Sequence, residues 1–251
     1  MTHVQGRVVN MSPMRRTAAP GQERLSREVI ADSAIALADV EGLEAVTIRR
    51  LAKQHNVTPT ALYWHFKEKD QLLDGMAERL FANVELPPED SSPWAQQLSA
   101  VLAAFLAALR PHPAVAPLLS SRVLASPAGL ALTERTLSLL RLGNLPADRT
   151  AEVGGYLLSA VIALVTAEPG REHPSDEEAR EDAVRAKRAS LTALSPRRYP
   201  TVVWCADPLA DCVSPDEYYD FNLDMLVGGV TSMARRLAPN EARTASAPHA
   251  D

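Results

Sequence analysis

Between Thr58 and Lys69 the chain reads TPTALYWHFKEK, side chains whose chemistry suits the surface of a DNA duplex. Pro59, Thr60 and Ala61 are small. A helix carrying them can approach base edges closely, where apolar groups pack against thymine methyls. Tyr63, His65 and Lys69 follow with a hydroxyl, an imidazole and an ammonium, groups that hydrogen-bond to phosphates and fix register. Arg49 and Arg50 stand just upstream, in what reads as the first turn of a short helix. The helix dipole disfavours a cation there by roughly 0.3–1 kcal/mol, and a nearby polyanion turns that penalty into attraction. Arg49 is the candidate for a guanine contact, and Arg50 for a phosphate or a salt bridge. A plainer reading stands beside this one. Tyr63 and Trp64 can be half-buried packing residues and the arginine pair a solubilising surface, since helix-turn-helix shapes also occur in proteins that never touch DNA. Partial burial of Trp64 is expected in both cases.

These residues need a scaffold, and the local signals supply one. Ser26 can cap a helix whose apolar residues Ile30, Ala34, Leu37 and Ala38 recur at helical spacing, ending near Glu41-Gly42. Thr47 can cap a second, short helix that buries Ile48, Leu51 and Ala52. The break His55-Asn56-Val57 leads to Thr58 as the next cap, with Pro59 at the first helical position. This third helix is expected to run about two turns, with Leu62 and Phe66 locking it to the second. A fourth starts near Lys69 and turns Leu72, Leu73, Met76 and Leu80 inward. Helix, tight break and short helix make the helix-turn-helix arrangement, whose second helix enters the major groove.

From Pro87 onward the helices lengthen. SSPW opens one that runs to about Arg110, and ASPAG opens another that ends at RLGN, where Gly143 suits a C-terminal cap. A third runs from about Ala147 to Ala167. Two Ser-x-x-Glu capping boxes, SDEE from Ser175 and SPDE from Ser214, start helices reaching about Leu194 and Leu237. The intervening SPRRYPTVVWCADPLADCVSP is rich in proline and is expected to be mostly loop. No strand-like alternation persists, so the fold class is all-α. The expected organisation is a flexible basic arm (1–24), a helix-turn-helix domain (25–83), a larger helical domain (84–238) and a flexible tail (239–251).

Composition narrows the function. The chain has 251 residues and a net charge of −5, so it is not a basic nucleic-acid binder overall. Yet between Ala45 and Lys69 five basic residues face the single acid Glu68, which gives one electropositive face. Cys205 and Cys212 have neither CxxC spacing nor clustered histidines, so no disulfide framework or metal site is expected. The N-terminus lacks a signal-peptide core, and the apolar runs fall short of a bilayer span. A cytoplasmic chain with no membrane partner and no cofactor is expected, starting at Met1, Met11 or Met14. The histidines His3, His55, His65, His112, His173 and His249 fall in tails, breaks or the helix-turn-helix motif. No HExxH or GxSxG accompanies them, so no catalytic residues are proposed and an enzyme is not expected.

The stretch from Leu25 to Phe81, above all ALYWHFKEKDQLL, resembles the DNA-binding domain of the TetR family of repressors. LRPHPAVAPLLSSR and YYDFNLDMLVGGVTSM resemble the C-terminal domain of its tetracycline-repressor branch. The resemblance implies a homodimer on palindromic double-stranded operator DNA, released by a small-molecule effector. An activator, or a regulator that needs no ligand, would share these motifs. The implied DNA surface is Thr47, Arg49, Arg50, Thr58, Pro59, Thr60, Ala61, Tyr63, Trp64, His65 and Lys69.

The resemblance also puts a ligand cavity in the larger bundle, with Phe105, His112, Tyr156 and Trp204 as candidate linings. Plain core packing explains the apolar LSAVLAAFLAAL equally well, and His112 between two prolines can be a turn residue. The tetracycline–magnesium site of that branch uses a histidine near the end of the fourth helix and an asparagine in the fifth; FANVELP has no histidine and AVLAAFLAAL no amide, so the resemblance implies an apolar or amphipathic effector here. The pairs Gly154-Gly155 and Gly228-Gly229 fall inside expected helices, where each glycine costs roughly 1 kcal/mol relative to alanine. Close approach of another helix offsets that cost. The resemblance assigns them, with Leu158, to a dimer interface, while packing within one chain is the alternative.

Overall fold

The structure, a computed structural model, describes residues 25–171, 176–211 and 214–237. The expected basic arm and tail lie outside the described residues, as do His173, Ser175 and Cys212.

The small N-terminal unit follows its local signals. Helix α1 (Arg27–Glu41) begins at Ser26, whose hydroxyl accepts the Val29 N–H at 3.2 Å. It ends at Gly42, where φ is 84°, a conformation that costs glycine nothing. A 3₁₀ turn (Leu43–Ala45) leads to α2 (Ile48–Gln54), capped by the Thr47 hydroxyl on the Arg50 N–H at 3.2 Å. Asn56, with φ of 54°, makes the tight reversal into α3 (Pro59–Tyr63). Ile30, Ala34, Leu51, Leu62 and Phe66 are fully buried, so the apolar spacing built the core it implied.

Helix α3 is shorter than the two turns expected. Trp64 is already its C-cap, and Thr58 makes no side-chain capping bond. Pro59, at the first helical position, has no N–H, so the first turn carries one unpaired donor fewer.

Helix α4 (Lys69–Ala82) joins the two units. Beyond it come α5 (Trp94–Leu109), α6 (Ala116–Leu119), α7 (Pro127–Leu142) and α8 (Ala147–Thr166). Next follow α9 (Glu177–Thr192), α10 (Pro200–Trp204), α11 (Ala206–Ala210) and α12 (Pro215–Leu237). No strand occurs among the described residues. Helix α4 packs on α1 on one side and on α5, α6 and α7 on the other. The Phe81 ring of α4 stacks on Phe105 of α5, with centroids 6.0 Å apart. One apolar core therefore runs from Ile30 to Ala234 through both units.

The segment expected to be mostly loop contains α10 and α11. Pro200 opens the first, and Pro208 sits in the first turn of the second. Neither N–H would have had an intrahelical partner, so the prolines do not break these helices. Helices α9, α10 and α11 pack mainly on one another. At the end of α7 the left-handed residue is Asn144 (φ 60°), while Gly143 keeps a negative φ of −76°. Its glycine answers to packing instead, because a Cβ there would lie 2.8 Å from the Trp94 ring. Helix α8 has 20 residues and its most apolar 18-residue stretch has a mean hydropathy of 1.2, long and apolar enough by length and composition alone to cross a membrane. It packs against α5, α6, α7 and α12, and its buried row Val153, Leu157, Val161, Val165 is that of a core helix.

Candidate nucleic-acid interface

Helices α2 and α3 present a continuous lip of polar and basic side chains. Thr47, Arg49, Arg50, Thr58, Pro59, Thr60, Tyr63, Trp64 and Lys69 are all exposed, while Ala61 and His65 are half-buried. Leu62 and Phe66, four residues apart, anchor the opposite face of the recognition segment in the core. The expected partial burial of Trp64 is not found: 87% of its surface is exposed. Trp64 follows the last residue of the short α3 and keeps helical backbone angles (φ −67°, ψ −30°). Trp64 stands beside Tyr63, which is also exposed.

The charges on this lip fall into two classes. Arg50 pairs with Glu41 at the end of α1, which realises the salt-bridge alternative for this residue. Arg49, Lys53, Lys67 and Lys69 are exposed and form no ion pair among the described residues. The Lys67 N–H donates to Gln71 Oε1 at 3.0 Å, fixing the turn that delivers Lys69 to the start of α4.

Sequence reasoning missed Arg27. Its Nη1 donates to the carbonyl of His65, and its guanidinium lies 4.3 Å from the centroid of the Phe66 ring. The available signal was the one used for Arg49 and Arg50, a cation in the first turn of a helix. Also unforeseen is the ionic joint between the two units. Arg122, before α7, reaches Asp74 at 2.9 Å and Asp70 at 2.6 Å, both on α4. Arg79 of α4 holds Asp32 of α1 at 2.6 Å, and that contact raises the arginine pKa further.

Residues 30–76 match the model of the bacterial regulatory proteins of the tetR family, and residues 86–234 match that of the tetracyclin repressor-like C-terminal domain. The chain belongs to the TetR family. It is 30% identical to an HTH-type transcriptional regulator of Saccharopolyspora erythraea, over 68% of this chain and 74% of that one. It is 27% identical to the class C tetracycline repressor protein of Escherichia coli, over 87% and 95%. The TetR family protein ActR of Streptomyces coelicolor, in complex with actinorhodin, superposes with a TM-score of 0.72 at 26% identity, covering 84% of this chain and 99% of that one. The protein is a DNA-binding transcriptional regulator.

Within this TetR-family chain the four candidate effector residues do not meet. Phe105 is fully buried against Phe81. His112 Nδ1 bonds to Asp39 Oδ2 at 2.7 Å, which ties the α5–α6 turn to α1. Tyr156 is exposed on α8, and Trp204 is exposed by 83% at the end of α10.

The glycine pairs divide. A Cβ on Gly154 would lie 2.3 Å from Leu137 Cδ2, so this glycine serves close packing of α8 on α7 within one chain. Leu158 is likewise buried inside the chain. Gly155, Gly228 and Gly229 meet nothing within 4 Å. They share the open side of α8 and α12 with exposed Tyr156, Phe221 and Met225. A groove of about 360 Å³ runs there, lined by Tyr156, Ala160, Ala163, Asn222, Met225 and Leu226. Near one end of α12, the Tyr219 hydroxyl donates to Glu168 at 2.7 Å. Burial, and then the Glu168 carboxylate, push its pKa up to about 12.

Proposed function

We propose that the protein is a homodimeric repressor that reads a palindromic operator with α3 and is released by an apolar or amphipathic small molecule. The observation that carries the DNA side is the exposed Trp64 beside unpaired Arg49 and Lys69, on a helix whose other face is locked in the core. Thr60 and Ala61 lie nearest the bases in this reading, Arg49 takes a guanine edge, and Tyr63, His65 and Lys69 hold phosphates. The open apolar side of α8 and α12 supports a second copy there, with Gly155, Gly228 and Gly229 letting helices approach. A dimer sets two recognition helices about 34 Å apart, one helical turn of DNA.

The actinorhodin complex of a relative supports a small-molecule effector. Phe105 supports a route for its action. A molecule inserted beside that ring must displace Phe81, which rides on the same rigid helix as Lys69. An effector with higher affinity for the displaced arrangement shifts the population away from the DNA-bound one. The protein works, on this proposal, in the cytoplasm beside its operator.

The test is fluorescence anisotropy at physiological salt on a duplex selected by the wild-type protein from a random pool, against a scrambled duplex. A preference of about a thousandfold or more, lost in part by Thr60→Ala and Arg49→Ala at ~1–3 kcal/mol each, is expected. Equal, steeply salt-dependent binding to both duplexes refutes sequence reading by this surface.

A further inference from the structure

We propose that Arg27 is a positioning residue for the recognition helix, acting through the His65 carbonyl and the Phe66 ring. The inference rests on the reading above that α3 faces the bases.

Helix α3 has five residues and cannot hold itself. Isolated helices below about 12–15 residues are marginal in water, and this one has no side-chain cap at its start. Its exit is equally bare. The N–H groups of His65 and Phe66 both return to the Leu62 carbonyl, at 2.9 Å each. The carbonyls that follow need partners from outside the helix. Arg27 supplies one of these by donating from Nη1 to the His65 carbonyl. It thereby places a full positive charge at the negative end of the short helix. No carboxylate pairs with this guanidinium among the described residues, so its charge is directed at the α3 exit.

The second contact fixes rotation. The guanidinium sits over the Phe66 ring at 4.3 Å from the centroid, within cation–π range. Another edge of the ring abuts α4 at Gly75, where a Cβ would lie 2.7 Å from Cε1. The ring is thus held between α1 and α4, and it belongs to the same short segment as Thr60, Tyr63 and Trp64. Without Arg27, Leu62 and Phe66 still bury themselves, but the end of α3 loses both the hydrogen bond and the clamp on its ring. The base-reading side chains then sample several poses.

Arg27 is itself exposed, so the rival explanation is a direct phosphate contact. The two differ in what lysine can replace. Lysine keeps the charge for a phosphate but lacks the planar fork that serves a carbonyl and a ring together.

The experiment uses the full chain as wild type, Arg27→Gln, Arg27→Lys and Thr60→Ala, titrated at several salt concentrations on the selected and scrambled duplexes. A thermal melt reports folding. Both Arg27 variants should lose about tenfold or more of selected-duplex affinity, the scale of one charged hydrogen bond. Affinity for scrambled DNA and the salt slope should stay at wild-type values. If lysine restores affinity while glutamine lowers the slope by about one, Arg27 is a phosphate contact and the proposal is overturned. Equal loss on both duplexes, or a variant that no longer melts cooperatively while Arg27→Lys binds like wild type, also overturns it. Thr60→Ala separates the two levels. If it leaves the preference intact, the base-reading role of α3 fails and the positioning role with it. If it relaxes the preference while the Arg27 variants keep theirs, only the positioning role fails.

Discussion

Two adjacent glycines on α8 should respond differently to the same added methyl group. In an exposed helix interior, Gly→Ala is worth roughly 1 kcal/mol of stability. At Gly154 the new Cβ would sit 2.3 Å from Leu137 Cδ2, well inside contact distance. Leu137 must swing away, and overpacking of this kind costs typically ~1–3 kcal/mol. Gly154→Ala is therefore neutral to destabilising by up to ~2 kcal/mol net. Gly155→Ala meets nothing within the chain and should raise the intrinsic stability of the subunit by the full helix-propensity gain of ~1 kcal/mol. On the proposed dimer face the same methyl stands between two helices and should weaken association by about tenfold, or ~1.4 kcal/mol. Urea unfolding at several protein concentrations separates the two terms, because only the dimer contribution varies with concentration. Sedimentation equilibrium measures the association directly. If Gly155→Ala stabilises the protein and leaves association unchanged, the open side of α8 is not where a second copy sits.

Other outcomes follow from particular contacts. Tyr219 has a folded pKa of about 12 against an ordinary 10.0, so the folded state holds its proton more tightly. Its contribution is fully present below pH 10 and fades as pH rises toward 12. Wild type should therefore lose ~2 kcal/mol more than Tyr219→Phe across that window in urea melts; parallel curves would contradict the buried Tyr219–Glu168 bond. Arg122→Ala removes two contacts to α4 whose carboxylates are more than half exposed, so stability should fall by only ~1 kcal/mol. Its operator affinity should change nonetheless, measured by anisotropy, because α4 delivers Lys69. An unchanged affinity would show that this joint does not transmit to the DNA face. Gly75→Ala should press on Phe66 and be neutral to destabilising by up to ~2 kcal/mol net, read as a lower melting temperature, whereas ordinary helix-propensity stabilisation would mean that the ring relaxes freely.

Much of the DNA-binding unit was legible because its signals are local. Ser26 and Thr47 bond the amide three residues on, and apolar residues at helical spacing became the buried stripe. Pro59 and Lys69 marked helix starts for reasons contained in a few residues. The larger unit was less legible. Helix α6 has four residues and carries no periodicity to read, while α10 and α11 begin in a run whose prolines suggested loop. The candidate effector residues were chosen by type within apolar or aromatic stretches, and type does not say which way a side chain points.

Local signals were enough for the all-α class, the helix-turn-helix and most residues of its exposed lip, Trp64 excepted, since caps, breaks and periodicity act within a few residues of one another. Which glycine of a pair packs inward depends on Leu137 of a neighbouring helix, and so on the packed fold. It alone brought Arg27 to the His65 carbonyl, 38 residues away, and Arg122 to Asp70, 52 residues away. Contacts between residues so far apart in the chain leave no periodic trace in it. They are set by how whole helices pack, and so by the apolar core they share.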